Sequence, residues 1–192
     1  MNCQGAPEFR GTYFRFIAGI FAIAFSVAAT TPHAGAAELQ PWTETRPHFA
    51  LDTITGTTEV LASHRGHPVL VHFFATWCEP CIEELPALRR LVERANGSLR
   101  VLAISVAEVD DRVRRFVSAT PVNFPVLLDR DRAVAKQWKV DTLPSTYILD
   151  AELKPRLAVE ADFKWDRIDT DRLAAFLNGS GTLATNSLYR TQ

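Results

Sequence analysis

Sulfur is scarce in this chain: 192 residues hold three cysteines and one methionine. Cys78 and Cys81 stand three positions apart, and Cys3 lies far away near the start. A structural zinc site normally takes four protein ligands, and nothing supplies the second half, because His33, His48, His64, His67 and His72 show no paired spacing. Haem attachment needs a histidine directly after the second cysteine, where Ile82 stands. No metal and no cofactor are therefore expected. An excess of one charge is also missing: 21 Lys and Arg face 22 Asp and Glu, for a formal net charge of -1, and no long basic block occurs. That removes the electrostatic footprint of a phosphate-backbone binder, so no nucleic-acid partner is expected. Lacking as well is an apolar run long enough to span a bilayer comfortably. The stretch from Phe16 to Ala29 falls short of the roughly 20 residues such a helix needs.

That short run has recognisable flanks. Arg10 and Arg15 precede it, and Thr30-Thr31-Pro32 and then Ala34-Gly35-Ala36 follow, the order of a charged region, an apolar region and a small-residue cleavage site. Residues 1–36 read as a signal peptide cleaved after Ala36, with an uncleaved inner-membrane anchor as the competing reading. Cys3 precedes the run and so is not a lipidation cysteine. Residues 37–48, with Pro41 and Pro47, read as an exposed lead-in whose apolar anchor is Trp42. Residues 49–178 form the domain, and residues 179–192, beginning Gly179-Ser180-Gly181, read as a flexible tail.

Val69 to Ala75 is almost entirely β-branched, aromatic or Leu, too short for a helix and too apolar for a surface strand, which predicts a buried parallel strand. After Trp77 the period changes. Cys81, Glu84, Leu85, Leu88, Leu91, Val92 and Ala95 recur at three- and four-residue spacings, Pro80 suits a first helical turn, and Asn96-Gly97 suits a left-handed cap. The cysteines thus fall at a strand-to-helix junction, where free N–H groups and the positive helix end stabilise a thiolate. Cys78 reads as the nucleophile. Cys81, one turn along, is placed to attack a mixed disulfide at Cys78 and release the partner. A zinc half-site and an inert structural disulfide are the competing readings. Around this core, Phe49 to Leu61 suggests a hairpin turning at Thr55-Gly56. Strands are expected over Leu99–Ser105, Phe124–Leu128, Thr146–Leu149 and Arg156–Glu160. Helices are expected after an Asp110 cap, over Ala133–Trp138 and over Thr170–Asn178. His64 and His67 read as solvated loop residues. The alternation implies an α/β fold with a central sheet covered on both faces.

Trp77, Cys78, Glu79, Pro80 and Cys81, taken with Glu84, Pro86 and the downstream Thr142-Leu143-Pro144-Ser145-Thr146, resemble the TlpA/ResA-like thiol-disulfide oxidoreductases of the thioredoxin family. The resemblance runs from about Phe49 to Leu177. It implies a thioredoxin-like fold: a central mixed sheet flanked by helices, here with an N-terminal hairpin extension. It also implies that the Leu143-Pro144 bond is cis and faces the cysteines, that the Leu143 backbone is free to pair with an incoming peptide, and that a glutamate at the position of Glu84 takes the proton of Cys81. An ordinary trans proline remains the plainer reading of Pro144. For Glu84, a salt-bridged glutamate packed under the sheet stands beside the acid-base role. Glu79 either opposes thiolate charge or is a surface residue without a role.

His72 departs from the family pattern, which carries an asparagine there. Strand alternation puts it on the face of Phe74 and Thr76, and two readings stand, a proton shuttle and a hydrogen-bonded core histidine. The resulting expectation is a monomeric periplasmic enzyme that reduces disulfides of exported proteins, cytochrome c maturation being one family setting, and that draws electrons from a membrane thiol-reducing donor. A thiol oxidase or isomerase is the alternative enzyme class. A copper-handling or chaperone module is the non-enzymatic alternative, disfavoured by the lack of a third soft ligand.

Overall fold

The computed structural model describes residues 37–179 and 185–190; the expected leader, residues 1–36, lies outside them. In chain order the strands are β1 (Gln40–Pro41), β2 (Ala50–Asp52), β3 (Thr58–Val60), β4 (Val69–Phe74), β5 (Arg100–Val106), β6 (Val126–Asp129), β7 (Ser145–Leu149) and β8 (Pro155–Val159). The helices are α1 (Glu79–Ala95), α2 (Asp110–Ala119), α3 (Ala133–Gln137) and α4 (Thr170–Leu177). Six strands form one mixed sheet in the order β1-β8-β7-β4-β5-β6, and β2 and β3 pair separately as the expected hairpin. The parallel pairs are β4 with β5 and β5 with β6, whereas β7 runs antiparallel to both β4 and β8.

All six residues of β4 are buried, as an apolar run interrupted only by His72 requires of a strand covered on both faces. Leu70 and Phe74 pack with Leu85, Leu88 and Leu91 of α1 and Leu173 and Leu177 of α4. Val69, Val71 and Phe73 pack on the other face with Leu102, Ile104 and Trp138. Helix α1 ends at Asn96, in the left-handed region at φ 44°, followed by Gly97 at φ 86°, so the expected cap is present. Pro86 lies inside the helix, where its missing N–H removes one backbone bond. Asp129, at the buried end of β6, accepts from the Val134 and Ala135 N–H groups at 3.1 and 2.8 Å and so caps α3 from outside.

Four expectations are corrected. Asp110 is the first helical residue and not the cap, a position taken by Val109; the Asp110 carboxylate instead receives Arg130 Nε at 2.7 Å. The lead-in is more than an exposed connector, because Leu39 is buried and Gln40–Pro41 add an edge strand opposite Leu157 and Ala158 of β8. A two-residue strand has no period to read. In the expected tail, Thr185–Leu188 forms a 3-10 turn with Leu188 buried, the Leu188 carbonyl accepts the Asp169 N–H at 2.9 Å, and Tyr189 bridges to Ile168. Two apolar side chains near the end of a polar segment find a hydrophobic cluster that only the folded chain assembles. His64 also departs from the solvated reading: its Nε2 lies 2.7 Å from Glu59 Oε1.

Candidate active site

Strand β4 ends at Phe74, and the chain reverses in a tight turn in which the Cys78 N–H donates to the Ala75 carbonyl at 3.1 Å. Thr76 and Trp77 occupy the middle of that turn. Cys78 is then the N-cap residue of α1, in extended conformation, with Pro80 in the first helical turn where its absent N–H is harmless. Cys78 and Cys81 form a disulfide with Cα atoms 5.3 Å apart. Their exposures differ in the expected sense: Cys78 is 6% exposed and Cys81 fully buried. Glu79 and Pro80 are exposed between them, and the Trp77 indole stands out at 63% exposure.

The Leu143-Pro144 bond is cis. Pairing of β7 with β4 sets Ser145 opposite Phe73, so this loop lies at the same end of the sheet as Cys78, and Leu143 packs against the cluster that contains Cys78. Among the described residues the N–H and carbonyl of Leu143 carry no hydrogen bond. A cleft of about 320 Å³ runs between Trp77, Val106, Ala107, Arg132, Val140 and Leu143. A larger one, about 450 Å³, is lined by His64, His67 and Arg100; since Arg100 pairs with Val69 at the start of β4, it lies at the other end of the sheet from the thiols.

Glu84, one turn beyond Cys81 on the same helical face, is 4% exposed. Its Oε1 accepts the Phe163 N–H at 2.6 Å and its Oε2 accepts the Trp165 indole N–H at 2.8 Å. No Lys or Arg pairs with it among the described residues. Burial pushes its carboxyl up to about 7, against the opposing pull of these two donors. His72 Nδ1 lies 3.9 Å from Glu84 Oε2 and 2.9 Å from Thr146 Oγ1 of the neighbouring strand. The ring is wholly buried, burial pulls it down to about 3, and it is neutral at physiological pH. Its Nε2 finds no partner among the described residues.

Two participants escaped the sequence. Trp165 reads as core, and nothing in the pattern around it says that its N–H reaches Glu84. Glu108, on the loop between β5 and α2, is 7% exposed and accepts from three neutral donors: Thr76 N–H at 2.8 Å, Thr76 hydroxyl at 2.5 Å and Ser105 hydroxyl at 2.8 Å. An isolated glutamate beside an exposed Val109 carries no periodic signal of burial.

Comparison with known proteins places the chain among thioredoxin-like proteins. The chain is similar to the thioredoxin-like protein YneN of Bacillus subtilis (strain 168), 36% identical over 107 residues, covering 54% of this chain and 62% of that protein. It is similar to the thiol-disulfide oxidoreductase ResA of the same organism, 34% identical over 109 residues, covering 56% and 61%. The match thus spans less than two thirds of these relatives' length. In fold it is similar to a secreted thiol-disulfide isomerase from Corynebacterium glutamicum, at TM-score 0.64 and 20% identity over 77% of this chain and 94% of that one. The sheet, the helices on both faces and the cysteine pair at the start of α1 are those of the thioredoxin-like fold expected from Trp77 to Cys81. The model of the AhpC/TSA family matches residues 43–156, more than half of the chain, which therefore belongs to that family.

Proposed function

We propose that this protein is an exported thiol-disulfide oxidoreductase that reduces disulfides of exported proteins through Cys78 and Cys81, acting as a monomer in the periplasm, for example during cytochrome c maturation. The observation that carries the reading is the cysteine pair itself: a disulfide at a helix N-terminus, Cys78 slightly exposed and Cys81 fully buried, beside the Leu143-Pro144 loop, where the Leu143 backbone carries no hydrogen bond among the described residues. In the reduced enzyme the Cys78 thiolate attacks one sulfur of the substrate disulfide, a mixed disulfide forms and the first substrate thiolate leaves. Cys81 loses its proton to Glu84 and attacks the Cys78 sulfur, which breaks the mixed bond and expels the second substrate thiolate. Two electrons have then passed to the substrate, and the enzyme is left in the disulfide form seen here. A membrane thiol-reducing donor restores it. Leu143 supports the reading by offering an N–H and a carbonyl to an extended substrate segment, and Glu84 by holding a carboxyl at about 7, where it both takes and returns a proton.

The test is trapping in cells. A C-terminally tagged Cys81→Ser protein should accumulate mixed disulfides with exported proteins in the periplasmic fraction, shortened at about Ala36, while Cys78→Ser should trap none and reduce no insulin. Trapping by Cys78→Ser instead would reverse the assignment of the nucleophile. A redox titration of the wild type decides between reductant and oxidase: a potential near that of thioredoxin, about -270 mV, fits reduction, and one near -120 mV refutes it.

A further inference from the structure

Glu108 lies outside the cysteine motif, 30 residues downstream of Cys78 in the sequence. It sits where two pieces of the cleft meet. One is the turn Ala75 to Cys78, which carries Trp77 on one wall of the cleft and delivers Cys78 to the helix end. The other is the end of β5, whose Val106 and the following Ala107 also line the cleft. Ala107 adopts φ 58°, a left-handed conformation unusual for a residue with a Cβ, and the next residue, Glu108, is buried and bonds back to Ser105 of β5. Its Oε1 takes the Thr76 hydroxyl, and its Oε2 takes both the Thr76 N–H and the Ser105 hydroxyl. Among the described residues no cation pairs with it. A buried carboxylate held only by neutral donors is costly to keep, and here every donor comes from a residue adjacent in the chain to one that lines the cleft, Thr76 before Trp77 and Ser105 before Val106.

We infer that Glu108 is a positioning residue that ties the turn carrying Trp77 and Cys78 to the Val106–Ala107 wall, and so sets the width of the groove that takes a polypeptide beside the reactive disulfide. The inference rests on the proposed oxidoreductase reading for its functional consequence, but the clamp itself is independent of it. Glutamine at this position keeps the shape and one acceptor, yet turns an NH2 group toward donors. The turn would then lose its anchor without losing any apolar packing. A polypeptide substrate needs both walls in register, whereas a small disulfide needs only the reachable sulfur of Cys78.

The experiment compares the full-length wild type with Glu108→Gln in two measurements. First, amide hydrogen exchange at Thr76 should accelerate about tenfold in Glu108→Gln while that of Leu70, in the middle of β4, stays unchanged, as a local opening requires. Second, KM for insulin should rise about tenfold, several times more than KM for 2-hydroxyethyl disulfide, with kcat for the small substrate falling far less than KM for insulin rises. Unchanged Thr76 exchange, or equal losses on both substrates, overturns the inference. Should Glu108→Gln fail to fold, Thr76→Val removes the hydroxyl donor alone and must show the same substrate split in weaker form; its absence is equally fatal. If the wild type reduces neither disulfide, it is the oxidoreductase reading that falls, and Thr76 exchange still decides whether the clamp exists.

Discussion

Glu84 and Glu108 are buried to nearly the same degree, at 4% and 7% exposure, but their donors come from different places. Glu84 projects from the middle of α1 and takes two N–H groups from residues 163 to 165, which pack against that helix. Glu108 projects from a loop and takes three donors from the turn before Cys78 and from β5. A neutral histidine lies beside Glu84, Asp162 and Lys164 pull it in opposite directions, and burial outweighs the two donors. On the readings proposed above, one carboxylate exchanges a proton near neutral pH beside Cys81, and the other holds geometry. Equal burial does not imply an equal role; what decides is which segments the hydrogen bonds join.

The largest test of this contrast is the pH dependence of stability. Folded Glu84 keeps a proton between about pH 4.5 and about 7 that the unfolded chain has already lost, so its burial costs stability progressively as pH rises through that window. His72 does the reverse: between about pH 6.5 and about 3 the unfolded chain charges the ring and the folded chain does not, so stability is lost as pH falls. From about pH 4.5 to 6.5 both states bind the same number of protons at these two sites, and the contributions cancel. His72→Asn should uncover the Glu84 slope, a fall of about 3 kcal/mol as pH rises from 4.5 to 7. Glu84→Gln should uncover the opposite slope, a fall as pH drops from 6.5 toward 3. Urea unfolding at stepped pH measures both, and two profiles as flat as the wild type would remove the coupling.

Next in size is the kinetic effect of Glu84→Gln. With the proposed proton acceptor gone, release of the mixed disulfide by Cys81 should slow about a hundredfold, more than the first attack by Cys78, the range that general base catalysis supplies. Cys81 alkylation should shift to lower pH at the same time, because a neighbouring negative charge has been removed. Single-turnover release and alkylation against pH, both unchanged, would leave Glu84 a packed acid without a chemical role.

The smallest effect is expected from Trp165→Phe. Removing the indole N–H takes away one of the two bonds to Glu84, which costs about 1 kcal/mol and drives the carboxyl further up. An infrared or NMR titration of the Glu84 carboxyl reads the shift directly. A titration that stays in place would assign the stabilisation of that carboxylate to the Phe163 N–H alone.

Much of the site was legible because it depends on local pattern. The apolar run of β4, the three- and four-residue spacing of α1, Pro80 in the first turn and Asn96-Gly97 at the end put Cys78 and Cys81 at a helix start without reference to the rest of the chain. The same spacing placed Glu84 on the buried side of that helix. Strand alternation put His72 on the face that α1 covers, where it lies near Glu84. The cis geometry of Leu143-Pro144 followed from the family resemblance, since periodicity says nothing about it. The edge strand at Gln40–Pro41, the docking of Leu188 and the clamp at Glu108 were out of reach, because each involves partners distant in the chain and segments too short for a period.

The sequence by itself determined where the cysteine pair sits and which cysteine is the less buried, since helix and strand periods act over a few residues and carry that information locally. Tertiary structure decided the proton chemistry and the shape of the groove. Whether Glu84 is salt-bridged or merely hydrogen-bonded depends on Phe163 and Trp165 arriving from far along the chain, and whether Glu108 is a surface residue or an anchor depends on Thr76 arriving from the strand end. Desolvation and hydrogen bonding are properties of the assembled surroundings, so the same glutamate type meets two different environments in one chain.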